Sequence, residues 1–105
     1  MTLSDLSSNI AASGMQAAAQ RMQAAASNTA NRETADFQRR EVAQSEAPGG
    51  GVQARIVRSD AGNDTVSAEV SDAINARQAA LDFAANTAAF RAREDALGTL
   101  FDALA

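Results

Sequence analysis

The segment Ala47-Pro48-Gly49-Gly50-Gly51 contains the only proline of this chain and three of its six glycines. Such a run cannot continue a helix or a central strand, so it forces a turn near the middle of the 105 residues. On both sides lie long Ala-rich stretches in which apolar residues recur at steps of three or four, which is helical spacing. The sequence therefore predicts two helices joined by a reversal of the chain.

We predict one mainly α domain over 1–105, with three parts. An N-terminal helix occupies 1–31, a β-hairpin or a flexible loop occupies 32–63, and a C-terminal helix occupies 64–105. The two long terminal helices are expected to pack antiparallel as a coiled-coil-like pair, because the middle segment is long enough to reverse the chain.

The N-terminal segment carries one apolar stripe, with Thr2 or Ser4 as candidate N-caps. The stripe consists of Leu3, Leu6, Ile10, Gly14, Ala18, Met22, Ala25 and Thr29. Small side chains around Gly14 allow a second helix to approach closely, although glycine inside a helix costs about 1 kcal/mol relative to alanine. This pattern is typical both of an ordinary core and of a specific interface.

In the middle segment, Val52–Arg58 alternates like a short strand, with Val52, Ala54 and Ile56 on one face. The stretch from Phe37 to Ser45 is its candidate partner. Because an isolated hairpin is marginally stable in water, the alternative is a loop that orders only against other elements.

The C-terminal segment, with Asp64 or Thr65 as candidate cap, carries two apolar stripes. The first consists of Val66, Val70, Ile74, Leu81, Ala85 and Ala88, and the second of Phe83, Phe90, Leu97 and Leu104, joined late by Leu100 and Phe101. The two stripes cannot share one inner face. We expect the second stripe, with its seven-residue spacing, to be the outward one and to require a further partner.

Composition argues against several classes of function. The net charge of −4 disfavours nucleic-acid binding, where a basic surface supplies most of the affinity. The chain has no Cys and no His, which removes disulfides and also the commonest general base and metal ligand. We predict no enzyme activity, no cofactor, no metal and no small-molecule substrate. No run approaches the roughly 18 apolar residues that span a membrane, so no membrane insertion is expected.

Several short motifs follow one another in a characteristic order. They are Ala12-Ser13-Gly14-Met15, Asn28-Thr29-Ala30-Asn31, Thr34-Ala35-Asp36-Phe37 with Arg39 and Arg40 behind it, Gly50-Gly51-Val52-Gln53-Ala54, and a closing helix with Val70, Ile74, Asn75, Phe83 and Asn86. This order resembles the bacterial flagellar rod and hook (axial) family, in particular its small proximal rod proteins. Two departures are Thr29 in place of Ile and Ala35-Asp36 in place of Pro-Gly, although Asp can adopt the left-handed conformation that such a turn uses.

The resemblance implies a structural subunit of the flagellar basal-body rod, which assembles through its terminal helices into a tube that spans the periplasm. Its implied partners are further copies of itself, other flagellar axial proteins, and the type III export apparatus, which exports such proteins without a cleaved signal peptide. The N-terminus, which has neither a basic region nor a continuous apolar region, agrees with that route. The alternative is a non-assembling helical-hairpin interaction protein, such as an export adaptor or chaperone.

The stripes and motifs together define a predicted interface. It consists of Leu3, Leu6, Ile10, Gly14, Met22, Asn28, Asn31, Phe37, Val70, Ile74, Leu81, Phe83, Phe90, Leu97, Leu100 and Leu104.

Overall fold

A computed structural model describes residues 3–104, with side chains from Asp5 onward. The order of elements is α1 (Leu3–Ala30), β1 (Arg39–Glu46), β2 (Val52–Ser59) and α2 (Val66–Leu104). The prediction of a mainly helical chain, with two helices and a small two-stranded antiparallel sheet between them, is confirmed. Thr2, one candidate cap, lies outside the described part of the chain. The side chains of Leu3 and of Ser4, the other candidate cap, lie outside it as well.

Thr65, one of the two candidate caps, begins α2. Its Oγ1 accepts a hydrogen bond from the backbone N–H of Ala68 at 3.0 Å, and its carbonyl accepts one from Glu69 at 3.1 Å. The hydroxyl thus satisfies a donor that the first turn of a helix leaves free.

The middle segment forms a hairpin rather than a loop. Its register pairs Arg39 with Ser59 at the open end and Glu46 with Val52 at the tip. All three glycines of the connecting loop, 49–51, have positive φ values of 84–106°, which explains why glycine is used there.

The core between the elements is built almost entirely from alanine. The buried apolar residues are Ala11, Ala17, Ala18, Ala24 and Ala25 in α1, and Ala68 and Ala79 in α2. Small side chains let the backbones approach closely, but each removes little apolar area from water, so hydrophobic stabilisation per residue is low.

Contacts between the helices follow a regular order along the molecule, whose principal extents are 62 × 24 × 16 Å. Hydrogen bonds between side chains join Asn28 to Asp72, Arg21 to Asp82, Met15 to Thr87 and Ser8 to Arg93. Residue numbers fall along α1 as they rise along α2. The last two turns of α2, after Leu97, lie beyond the last of these contacts.

The expected inner and outer stripes of α2 are exchanged, which corrects the sequence-based assignment. Toward α1 lie positions spaced alternately four and three residues apart: Asp72, Ala76, Ala79, Phe83, Asn86, Phe90, Arg93 and Leu97. We call this set the seam. The outward face instead carries Val66, Val70, Ile74 and Leu81, which are 51–76% exposed. The physical reason is that a seven-residue spacing follows the contact line of a packed helix pair, while the other stripe lies about half a helical turn away.

Replacement of a seam residue should therefore destabilise the isolated chain more than replacement of an outward one. Phe90→Asp places a carboxylate in the half-buried seam and removes apolar burial worth about 1.5–3 kcal/mol. Ile74→Asp, the matched control, changes an exposed position. We expect Phe90→Asp alone to lower the thermal unfolding midpoint strongly, measured by circular dichroism at low protein concentration. Equal midpoints for the two variants would contradict the assignment of the seam.

Candidate functional site: a buried polar junction and two helix clamps

The carboxylate of Asp72 is the centre of a buried polar cluster. This side chain is 2% exposed, and it lies on the seam near the start of α2. Arg39, at the start of β1, binds it with two nitrogens, Nη2 to Oδ1 at 2.7 Å and Nη1 to Oδ2 at 3.0 Å. Arg32 adds Nη2 to Oδ2 at 2.9 Å. Two guanidinium groups and one carboxylate therefore join α2, the hairpin and the segment after α1.

The charge state of Asp72 follows from these contacts. Burial by itself would raise the pKa of this carboxyl, but the hydrogen bonds from Arg39, Asn28 and Arg32 outweigh it and hold the pKa below its usual value. The hydrogen bond to Asp72 likewise raises the pKa of Arg39. The pair therefore stabilises the fold above the ordinary Asp pKa of about 3.9, and this contribution is lost as the pH falls through the lowered pKa of the folded state.

Asn28 uses its side-chain amide to bind the hairpin to α1. Its Oδ1 accepts the backbone N–H of Arg40 at 2.8 Å, and its Nδ2 donates to the carbonyl of Arg40 at 2.9 Å and to Asp72 Oδ1 at 3.1 Å. The amide thus pairs with the free edge of β1 as a neighbouring strand would.

Asn63, in the loop before α2, caps the end of α1. Its Nδ2 donates to the carbonyls of Asn28 at 3.0 Å and Asn31 at 2.9 Å, two acceptors that the end of a helix leaves without partners. Its Oδ1 accepts from Arg39 Nη1 at 2.9 Å, and its own carbonyl accepts from Arg32 Nη1 at the same distance. We call Asn28, Arg32, Arg39, Asn63 and Asp72 the junction.

The turn that leads from α1 to β1 depends on Asp36. This residue has φ +59°, and the backbone N–H of Phe37 donates to the carbonyl of Thr34 at 3.4 Å. A positive φ at the third position is what a type II turn requires. The prediction that Asp can adopt the left-handed conformation here is confirmed.

A second point of attachment lies near the N-terminal end of α1, at Ser13 and Gly14. Ser13 Oγ accepts the backbone N–H of Val52 at 3.1 Å and donates to the carbonyl of Ile10 at 2.7 Å. On Gly14, a Cβ atom would collide with the side-chain amide of Asn86. Ser13 therefore holds the hairpin tip and Gly14 admits α2, one helical position apart.

The predicted interface residues fall into distinct groups. Two attachment sites on α1, one at Asn28–Asn31 and one at Ser13–Gly14, form what we call the clamps. Gly14, Asn28 and Asn31 lie at these clamps, and Phe37 is half-buried in the turn before β1. Half-buried residues of the helix pair are Leu6, Met22, Phe90 and Leu97, with Phe83 at the margin of exposure. Exposed residues are Ile10, Val70, Ile74, Leu81, Leu100 and Leu104. Leu6 and Ile10 lie within contact distance of the Cβ position of Gly50 and thus flank the hairpin tip.

Sequence analysis missed the charged centre of the site. Neither Asp72 nor Asn63 belongs to a predicted stripe or motif, and Arg39 is predicted only as part of a motif. One signal was available for Asp72, because it lies eleven residues before Phe83 and so on the same helical face as the seven-residue stripe.

Within residues 3–104, no group of three or more acidic, His or Cys side chains is arranged to hold a metal ion. Neither helix in this described range is apolar enough over a sufficient length to cross a membrane. No protein-family model matches the chain, and no curated protein matches it significantly.

The junction should contribute far more to stability than exposed ion pairs do. Asp72→Asn leaves Arg39 buried without its counter-charge, and breaking a buried pair typically costs about 3–5 kcal/mol. Asp82→Asn removes the exposed pair with Arg21 and should cost less than about 1 kcal/mol. Urea unfolding at neutral pH measures both. If the two variants have equal free energies of unfolding, the junction is not the principal attachment of the fold.

The two helical glycines offer a second matched comparison. Gly14→Ala should destabilise the chain, because the new methyl group displaces the side-chain amide of Asn86, which donates to the carbonyl of Asp82. Gly98→Ala, where nothing lies within 4 Å of the Cβ position, should stabilise α2 by up to about 1 kcal/mol. Thermal unfolding of the monomer measures both effects. Stabilisation by Gly14→Ala would mean that the two helices do not approach closely at this position.

Proposed function

We propose that this protein is a structural subunit that self-assembles through its helices, of the class to which the flagellar basal-body rod proteins belong. The observation that carries the proposal is the outward stripe of α2, Val66, Val70, Ile74 and Leu81, which is 51–76% exposed and opposite the seam. Large apolar side chains that are exposed together on one helical face make a candidate interaction site.

The finer architecture that we infer is a long antiparallel, coiled-coil-like helix pair. Three observations support it: the helix lengths of 28 and 39 residues, the opposite order of contacts along α1 and α2, and the alternating four- and three-residue spacing of the seam. In a subunit of this shape, one face of α2 packs against α1 and the opposite face is left for neighbouring subunits.

Energetics favour coverage of the outward stripe by another molecule. Burial of a Val, Ile or Leu side chain contributes about 1.5–3 kcal/mol, whereas the alanine core within the chain contributes little per residue. Contacts between unlike surfaces of identical subunits form a ring where the rotation between subunits closes, and a helical filament or tube where it does not.

The motifs support the flagellar class specifically. Ala12-Ser13-Gly14-Met15 and Asn28-Thr29-Ala30-Asn31, the two elements that carry most of the resemblance, coincide with the two clamps on α1. On this proposal the partners are further copies, other flagellar axial proteins and the type III export apparatus, and the location is the periplasm-spanning rod. The role is structural and not enzymatic, without cofactor, nucleic acid or small-molecule substrate.

The alternative is a helical-hairpin adaptor or chaperone for export. The same exposed stripe favours it, since one helix of a client protein would cover Val70 and Ile74 as well as a second copy would. The two functions differ in the behaviour of the purified protein: an adaptor stays a small, folded species at high concentration, whereas a subunit associates as concentration rises.

Sedimentation velocity over a range of protein concentrations tests the proposal. Wild type should form progressively larger species, and Ile74→Asp should shift association to at least tenfold higher concentration while the helix content of the monomer is kept. Gln23→Asp is the matched control, because it adds the same charge at an exposed position of α1, away from the stripe. If wild type stays monomeric at all concentrations, the subunit proposal is wrong.

A further inference from the structure

Two exposed arginines lie directly opposite each other at the open end of the hairpin. Arg40 and Arg58 are cross-strand partners, and like charges in that position destabilise a sheet. Neither forms an ion pair among the side chains described from Asp5 to Leu104; Arg58 only donates to Gln38 at 3.4 Å. Ile56, two residues before Arg58 on the same sheet face, is 45% exposed. We call Arg40, Ile56 and Arg58 the basic patch.

The last turns of α2 have the opposite character. Asp95 and Asp102, seven residues apart and hence on one helical face, are exposed and form no ion pair within the same described range. Leu100, Phe101 and Leu104, which are 55–75% exposed, lie on other sides of the same turns. We call Asp95, Gly98 and Asp102 the acidic tip.

Gly98 lies between the two aspartates and has no explanation within one chain. A glycine inside a helix costs about 1 kcal/mol, and at Gly14 close packing of Asn86 accounts for it. At Gly98 nothing lies within 4 Å of the Cβ position. A helix face without a side chain at its centre, flanked by two carboxylates, leaves space for a group from another molecule.

The charges of the two regions are complementary across the molecule. The two strands carry four Arg against two Glu, whereas α2 carries three Arg against six acidic residues. One chain cannot bring these surfaces together. The basic patch lies near residue 28 of α1, because Arg40 binds Asn28. The acidic tip lies beyond residue 8 of α1, because Ser8 contacts Arg93. Residues 8 and 28 are about 30 Å apart along α1.

We propose that the acidic tip of one copy binds the basic patch of a second copy. Asp95 and Asp102 pair with Arg40 and Arg58, which relieves the repulsion between the two arginines. The inference rests on the proposed self-assembly and names a second contact for it. Because patch and tip are different surfaces, a bound pair keeps one patch and one tip free and the contact can propagate.

Reciprocal charge reversal tests the contact by sedimentation of the full chain. Arg40→Glu with Arg58→Glu, and separately Asp95→Arg with Asp102→Arg, should each shift self-association to at least tenfold higher concentration. A 1:1 mixture of the two double variants should recover association, because every patch then meets a tip of opposite charge. Arg55→Glu with Gln16→Glu and Gln23→Glu is the control: it makes the same change in net charge as the patch variant at exposed positions outside both surfaces and should associate as wild type does.

A second patch variant separates loss of contact from loss of fold. Arg40→Gln with Arg58→Gln removes the cross-strand repulsion, so the hairpin should be at least as stable as in wild type, yet association should still weaken. Association equal to wild type in either patch variant, or no recovery in the mixture, overturns the proposal.

The outcomes for this contact and for the outward stripe differ. If Ile74→Asp weakens association and the charge reversals do not, the subunit proposal stands and the contact between tip and patch is wrong. If the charge reversals weaken association and Ile74→Asp does not, the contact stands and the outward stripe is not the assembly surface.

Discussion

The ion pair between Asp72 and Arg39 is the interaction on which the rest of this structure depends. A buried carboxylate is costly unless it is paired and fully hydrogen-bonded, and here two guanidinium groups and one amide supply those partners. Those partners come from the end of α1, the segment after it and the start of β1. The charge can be buried only if these segments arrive together, which selects one arrangement of the chain over others of similar apolar burial.

Such a constraint matters because the apolar core is weak at specifying geometry. Alanine side chains permit close helix packing but have no shape that fixes one register over another. Register is set instead at the two clamps, by Asn28 against β1 and by Ser13 and Gly14 against the hairpin tip and α2. The short motifs in α1 therefore have a structural explanation in this chain, independent of any family resemblance.

The sequence predicted the elements well and the inside of the molecule less well. Helical spacing and the Pro-Gly turn defined both helices to within one or two residues at most boundaries, because local signals determine where a helix begins and ends. Periodicity also identified two stripes on α2, but it does not tell which of them faces α1. Residue size does not decide between them, because both stripes contain large apolar side chains. The buried apolar residues that α1 contributes are alanines, which give no sign of their partner stripe. Asp72 was missed because the partners that make a buried charge favourable, Arg39 and Asn28, are distant in sequence and meet it only in the folded chain.

The opposite order of contacts along α1 and α2 also determines how the molecule bears force. A pull along its 62 Å axis, with one grip on the last turn of α1 and the other on the end of α2, loads all the seam contacts in parallel, as shear does. A pull that separates the start of α1 from the end of α2 instead peels the contacts one at a time, beginning at Ser8 and Arg93 and reaching Asp72 last. The chain is thus stiff along its length and weak across its open end, so neighbours that cover that end would protect the direction in which a single copy yields most easily.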